Sequence, residues 1–239
     1  MKVFYDLHLH TCLSPCGDED MTPWNTVNMA KILGLDMIAI TDHNSCGNCR
    51  SAMKVGQSAG ITVVPGMELC TAEEVHCVCL FDCIDNAESF SDYVKTTMPP
   101  VKNREEIFGG QLFMDEGDGV LGKEELLLTT ASSISIDSLP DLVSKYGGVC
   151  FPAHIDRESY SVLSSLGDFP PELKVNAFEL TPGADGEHYF EKYAYLKGKR
   201  LLKSSDAHYL ENMSEREFYP DEEENSAPAL LRYLNKEGI

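Results

Sequence analysis

The chain has 239 residues, 43% of them hydrophobic, which is enough for one substantial buried core and fits a single barrel domain spanning 1–239. Its 19 basic and 39 acidic residues leave a formal charge of −20, which disfavours a long nucleic-acid footprint held by clustered Lys and Arg but leaves a small anionic substrate open. No run approaches the roughly 18 apolar residues of a membrane span, and the N-terminus leads straight into a strand-like segment without a secretory pattern, so a soluble cytoplasmic protein with no membrane partner is expected.

The first strand-like run, Lys2 to His8, precedes a well-marked helix: Thr22 and Pro23 form an N-cap and first-turn pair, Val27, Ala30, Ile32 and Leu33 are its apolar positions, and Gly34 closes it. Further β-rich runs follow at Met37 to Thr41, Ile61 to Glu68, Glu74 to Phe81, Gly148 to His154, Val175 to Thr181 and Arg200 to Asp206. Helical patterns at Ser51 to Ser58, Ala87 to Thr96, Ile136 to Tyr146, His188 to Lys197 and Ala227 to Lys236 alternate with them. Such alternation predicts an α/β fold with a largely parallel sheet covered by helices. It lapses between Pro99 and Ser135, where Gln111 to Met114, the turn Glu116 to Gly119 and Val120-Leu121 predict a small hairpin within a mobile insertion, either a lid or a solvated excursion. The acidic run Asp221 to Glu224 reads as a solvated turn.

Nine cysteines, an odd count, suggest reduced thiols rather than a disulfide framework. Cys46 and Cys49 form a lone CxxC in a loop before a helix, a weak redox or zinc signal. Cys77, Cys79 and Cys83 read as small buried apolar residues.

The histidines carry the chemistry. Six of the seven, His8, His10, His43, His76, His154 and His208, fall within a β-rich run or at its C-terminal end, where active sites of parallel α/β folds assemble. His188 falls at a helix start and reads as ordinary surface. Side chains alternate along a strand, so His8 and His10 share a face, as do Asp206 and His208, and the two pairs meet if the first and last strands are neighbours. Imidazole with carboxylate is a donor set for Zn²⁺, Mn²⁺ or Fe²⁺ rather than Ca²⁺. Glu68, at the end of Val-Val-Pro-Gly-Met-Glu, has two oxygens with which to bridge two ions. A single histidine is more often a hydrogen-bonded structural residue than a ligand; the recurrence at strand ends, paired with acids, is what points to metal.

DLHLHT (Asp6 to Thr11), ITDHN (Ile40 to Asn44), PGME (Pro65 to Glu68), VHCVCLF (Val75 to Phe81), PAHIDR (Pro152 to Arg157) and SSDAH (Ser204 to His208) together resemble the polymerase and histidinol phosphatase (PHP) superfamily, in order and across nearly the whole chain. The resemblance implies a distorted (β/α)7 TIM-like barrel with a small insertion, holding two or three divalent transition-metal ions. It implies a first ion on His8, His10, Glu68 and Asp206, and a second on Glu68, His76 and His154. A third would take His43 and His208, with a last ligand from the loop after HxH. That loop reads SPCGD here: Cys16 falls at the spacing of a family histidine, and Asp18 is the alternative. Asp6 and Asp42, each within two residues of an implied ligand, are expected to orient imidazoles, with strand-end capping as the plainer role. Arg157 is a candidate phosphate clamp, or else a surface ion pair.

The expected activity is hydrolysis of a small phosphate ester, a phosphorylated metabolite or nucleotide, by metal-activated water. There is no G-x-S-x-G elbow to suggest a covalent intermediate. Two rivals stand beside it: a non-catalytic metal-binding or regulatory module of the same family, and an amidohydrolase cleaving C–N bonds with similar ligands in a related barrel.

Overall fold

The computed structural model describes residues 2–213, 217–219 (backbone only) and 224–236; residues 221–223 of the acidic run lie outside the described residues. The chain begins with β1 (Val3–Leu9), α1 (Pro23–Leu33), β2 (Met37–Ile40), α2 (Cys49–Ala59), β3 (Thr62–Cys70), β4 (His76–Phe81) and α3 (Ile84–Thr97). The insertion contributes α4 (Glu105–Phe108) and the hairpin of β5 (Leu112–Met114) with β6 (Val120–Lys123). After it come α5 (Leu139–Lys145), β7 (Gly148–Pro152), α6 (Val162–Leu166), β8 (Ala177–Leu180), α7 (Gly186–Lys192), β9 (Arg200–Lys203), β10 (Glu217–Tyr219) and α8 (Ala227–Asn235). The first helix is capped as its sequence predicts, with Thr22 accepting from the Asn25 N–H and Gly34 left-handed at φ 71°.

The strands form a six-stranded sheet in the order β10-β1-β2-β3-β4-β7 and a separate parallel pair, β8-β9. A backbone bond from Ile155 to Glu179 and a parallel bridge between Leu9 and Ala207 connect that pair to β7 on one side and β1 on the other. The expectation of a largely parallel sheet needs correction. β1, β2 and β3 are parallel, but β4 runs antiparallel to both β3 and β7. The cause is local: only Thr71 to Val75 separate β3 from β4, too few residues for the dozen or so that a parallel crossover needs. The reversal places His76, the first residue of β4, opposite Cys70 at the end of β3, and so beside the C-terminal ends of β3 and β7.

Strand alternation divides the interior into layers. Val3, Tyr5, Leu7, Ala39, Val64, Val78, Leu80, Phe151, Ala177 and Leu202 form an apolar core with Leu230, Leu231 and Leu234 of α8. The opposite strand faces pack with α1, α2, α3 and α5 in a second core that includes Ile38, Ile40, Met67, Cys79, Phe90 and Phe178. Continuing the first face along each strand gives polar residues: Glu68 follows Val64, His76 precedes Val78, and Glu179 follows Ala177. In β1 the register slips between Asp6 and Leu9, where an extra residue moves Leu9 into the helix-side core although Leu7 belongs to the other. This bulge turns His8 and His10 onto the face opposite Leu9.

The insertion is docked against the loops around the strand ends. The Leu112 N–H donates to the Cys12 carbonyl, Asn48 Nδ2 to the Leu112 carbonyl, and Ser51 Oγ to the Met114 carbonyl, while Gln111 is fully buried. Cys83, expected to be buried, is exposed, since β4 ends at Phe81 and α3 begins only after it; Cys77 and Cys79 are buried.

Candidate metal centre

Six histidines converge at the strand ends. Glu68, 1% exposed, lies at their centre, with His8 Nε2, His76 Nδ1 and His154 Nε2 at 3.2, 2.9 and 3.0 Å from Oε1, and His43 Nδ1 and His10 Nε2 at 3.0 and 3.4 Å from Oε2. Each oxygen thus faces a different set of imidazoles. Asp206 closes the group, its Oδ1 lying 3.0 Å from His10 Nε2 and 3.4 Å from His8 Nε2. Three overlapping sets have donor atoms close enough to share a cation: His8, His10, Glu68 and Asp206; His43, Glu68 and His76; and His10, His43 and His208. His188 is exposed on α7, outside this group.

Surrounding hydrogen bonds orient the rings of His8, His10 and His208. Glu179 Oε2 accepts from His8 Nδ1 at 2.8 Å, which turns His8 Nε2 toward Glu68. Ser14 Oγ gives its own proton to Asp42 Oδ1 at 2.7 Å, so it accepts from His10 Nδ1 at 2.9 Å and frees His10 Nε2. His208 Nδ1 donates to the Asp206 carbonyl at 2.9 Å, freeing its Nε2. His76 is held differently: its ring stacks on Tyr160, centroids 4.7 Å apart, and it turns Nδ1 inward.

Glu179, 1% exposed, was not among the sequence candidates, and it also accepts from the His154 backbone N–H at 3.1 Å. Its signal was present in the sequence, a carboxylate between the apolar Phe178 and Leu180, because a charge in such a run stays buried only with a partner. Asp42 acts on His10 only through Ser14, and it also receives the Thr11 N–H and hydroxyl. Asp6 makes contacts of the capping kind. Its carboxylate accepts from the Ser205 N–H and hydroxyl at 3.0 and 2.6 Å, fixing the turn that carries Asp206. Arg157 Nη1 lies 2.6 Å from Asp206 Oδ2, with the Arg157 side chain 43% exposed. Cys16 Sγ lies 3.2 Å from His43 Nε2, whereas the Asp18 carboxylate accepts from the Asp20 N–H.

The donor set fits cations. Burial would raise the Glu68 carboxyl, yet the charges of His76 and His8, with His10 and His154 beside them, hold it well below the usual carboxylate range. Burial likewise works to lower His10 and His43; the carboxylates of Asp206 and Glu68 around His10, and Cys16 and Glu68 around His43, bring each up to about 9. His208 is pushed down to about 3 by burial and by His10. Several of the buried atoms nonetheless lack a partner in hydrogen-bond geometry: His8 Nε2, His10 Nε2 and His43 Nδ1 face carboxylate oxygens, and Asp206 holds Oδ1 toward His8 and His10 and Oδ2 toward Arg157. Nitrogens and carboxylate oxygens buried this close together, without well-formed bonds to satisfy them all, are what a chelating site offers. Two site residues also sit in left-handed backbone, His154 at φ 29° and Asp206 at φ 52°; this costs on the order of 1–3 kcal/mol each and persists only where the surroundings enforce it.

Fold and site define a class: a mixed α/β chain with a curled sheet and a buried chelating cluster of histidines and acids at the strand ends. The chain belongs to the PHP domain family, whose model matches residues 6–165. An uncharacterized protein of Methanocaldococcus jannaschii is 36% identical over 76 residues, covering 28% of this chain and 44% of that protein. Among solved structures, the lesion-specific endonuclease Q of Pyrococcus furiosus superposes with a TM-score of 0.62 at 18% identity over 88% of this chain and 49% of its own, so the present chain spans about half its length. A Bifidobacterium adolescentis protein named provisionally as a metal-dependent phosphoesterase gives a TM-score of 0.61 at 16% identity, covering 96% of this chain and 94% of its own. An amidohydrolase of Chromobacterium violaceum gives 0.58 at 16% identity, covering 96% and 95%. At these identities the likeness is one of fold. Among the described residues, no helix is long and apolar enough to cross a membrane.

Proposed function

We propose that the chain is a metal-dependent phosphoesterase acting on small phosphate esters, a phosphorylated metabolite or nucleotide. The observation that carries this reading is Glu68, whose two oxygens face separate sets of imidazoles, the arrangement of a carboxylate shared between two cations. In this reading residues 1–239 make one distorted (β/α)7 barrel, with β1, β2, β3, β4, β7, β8 and β9 as its staves and the 99–135 segment inserted. His8, His10, Glu68 and Asp206 hold one ion and Glu68, His76 and His154 a second, with zinc, manganese and iron as the candidates for this donor set.

Divalent ions bound there supply the positive charge that makes water acidic and neutralises phosphoryl oxygens. The protein's own residues supply orientation. Glu179 fixes His8, and Ser14 with Asp42 fixes His10, so both rings present Nε2 inward without rearrangement. Arg157, at the rim and in contact with Asp206, donates to a substrate phosphate once cations neutralise that carboxylate.

Substrate size is argued from charge. In the loops at the strand ends, residues 10–22, 41–48, 71–75, 128–137, 153–161, 181–185 and 204–213, Arg157 is the one Lys or Arg among many acids. A duplex held by its backbone needs several phosphate contacts, so this rim favours a substrate with one or two phosphates. Endonuclease Q, crystallised with a 27-mer duplex carrying an abasic lesion, represents the contrary case within the same fold. The test is to load the purified protein with Mn²⁺, Zn²⁺ or Fe²⁺ and assay sugar phosphates, amino-alcohol phosphates and nucleotides beside an abasic-site duplex and an N-acyl amide panel. Release of inorganic phosphate from a small ester is expected. Turnover confined to the duplex or the amides, or none with any metal, would overturn the proposal.

A further inference from the structure

The loop from Ala153 to Ser161 brings three side chains of different chemistry to the strand ends: His154, which faces Glu68, Arg157, which faces Asp206, and Tyr160. Tyr160 lays one face of its ring on His76, with centroids 4.7 Å apart and planes 24° from parallel, and its carbonyl accepts the His76 N–H at 2.8 Å. His76 is 9% exposed and Tyr160 47%, so the accessible surface of the tyrosine lies on the opposite face and the edge of its ring. Its backbone is left-handed at φ 54°, a conformation that bulky side chains rarely hold and that persists where the surroundings enforce it. The enforcing contacts are the bond from His76 and, within the same loop, the Arg157 N–H to the His154 carbonyl at 2.9 Å and Ser161 Oγ to the Arg157 carbonyl at 2.7 Å.

Entry into α6 does not account for the ring. Ser161 is the N-cap of that helix, and an apolar residue just before an N-cap ordinarily packs on the fourth helical side chain. Here that residue is Ser165, which instead donates to the Glu74 carbonyl. Exposed rings also favour this end of the molecule: among the described residues the three most exposed aromatic side chains are Tyr160, Tyr209 and Trp24, in or beside the loops 153–161, 204–213 and 10–22. An acidic rim with one guanidinium repels additional phosphates but not an uncharged flat ring, and an aromatic side chain stacks on any base because every base has a π-face.

We propose that Tyr160 is a specificity-determining residue whose free face stacks a flat ring carried by the alcohol part of the ester, so that nucleotides are preferred over sugar phosphates bearing the same phosphate. The proposal rests on the phosphoesterase reading and narrows it to one substrate class. The loop then supplies a guanidinium for the phosphoryl group and, three residues on, a platform for what is esterified to it.

The test compares adenosine 5′-monophosphate with ribose 5-phosphate, which share the phosphate and differ in the base, on metal-saturated wild type, Tyr160→Phe and Tyr160→Asn. Asparagine tolerates left-handed backbone, so the last variant removes the ring without opposing the turn. Wild type is expected to favour the nucleotide in kcat/KM, Tyr160→Phe to keep that preference, and Tyr160→Asn to lose it by about tenfold to a hundredfold with the ribose 5-phosphate value retained. In saturation-transfer NMR, metal-free wild type and Tyr160→Phe are expected to pass magnetisation to the adenine protons of adenosine, and Tyr160→Asn is not. Equal losses on both esters in Tyr160→Asn, or an adenosine signal that survives there, would leave Tyr160 as a support for His76 alone and overturn the platform. Wild-type hydrolysis of other phosphate esters without preference for the nucleotide overturns it too and leaves the phosphoesterase reading intact. No turnover of any phosphate ester overturns that reading, and this inference with it.

Discussion

Glu179 holds the Nδ1 of His8 at 2.8 Å across 171 residues of sequence, and the same carboxylate oxygen receives the backbone N–H of His154. One buried acid thus sets the ring orientation of an imidazole on β1 and the backbone of a second histidine beyond β7. Losing such an outer partner typically weakens metal affinity about 10–100-fold. Glu179→Ala is expected to show a loss of that order in a competition titration with a chromophoric chelator, with Glu179→Gln, which keeps an acceptor, retaining more. Unchanged affinity in both would remove Glu179 from the site.

The metal-free protein should have an unusual pH profile. His10 and His43 sit at about 9 when folded, above the ordinary value of about 6.5. Their protonation therefore stabilises the fold fully below about 6.5, and that contribution is lost as pH rises through about 9. His208, at about 3 in the fold, acts in the opposite sense, so stability falls as pH drops from about 6.5 toward 3. Urea midpoints of chelator-treated protein are expected to peak near neutrality and to fall by pH 9.5. With saturating divalent ion the alkaline decline should disappear, because ligands release protons on binding. A midpoint that climbs steadily to pH 9.5 without metal would contradict the assignment.

Arg157 should matter to turnover rather than to folding, since its side chain is 43% exposed and its partner Asp206 retains two imidazoles. A charge-assisted hydrogen bond contributes about 1.5–3 kcal/mol, so Arg157→Ala is expected to lower kcat/KM for a phosphate ester roughly tenfold to a hundredfold at an unchanged melting temperature. Wild-type kcat and KM in that variant would exclude the clamp.

Gly109, at φ 98°, packs against the Pro15 carbonyl so closely that a Cβ there would overlap it. Gly109→Ala should therefore cost on the order of 1–3 kcal/mol in denaturant unfolding through backbone strain and contact. Gly110→Ala, whose Cβ would find its nearest neighbour at 3.9 Å, serves as the control and should be close to neutral.

Alternation made much of this site readable in the sequence. The His8–His10 and Asp206–His208 pairs are visible from their spacing, and the parallel contact of Leu9 with Ala207 brings them together. Three features were harder to read. The bulge in β1 changes which face its residues occupy without a glycine to mark it, and His154 and Asp206 adopt left-handed backbone, which Asp and His enter more readily than most residues but which no local pattern marks at these two positions. Asp6 and Asp42 are alike in sequence, each near a histidine, but tertiary neighbours decide that one caps Ser205 and the other acts through Ser14. Glu179 was legible as a buried acid, but its partner came from the opposite end of the chain.

The reversal of β4 has a consequence for how the cluster assembles. Glu68 and His76 lie on the two arms of one hairpin joined by Thr71 to Val75, so their encounter requires closure of only a short loop. Asp206 meets His10 only after every strand from β1 to β9 has been made. Loop closure grows dearer with length and domains form as synthesis proceeds, so a nascent chain can carry half of its chelating pocket well before the remaining ligands leave the ribosome.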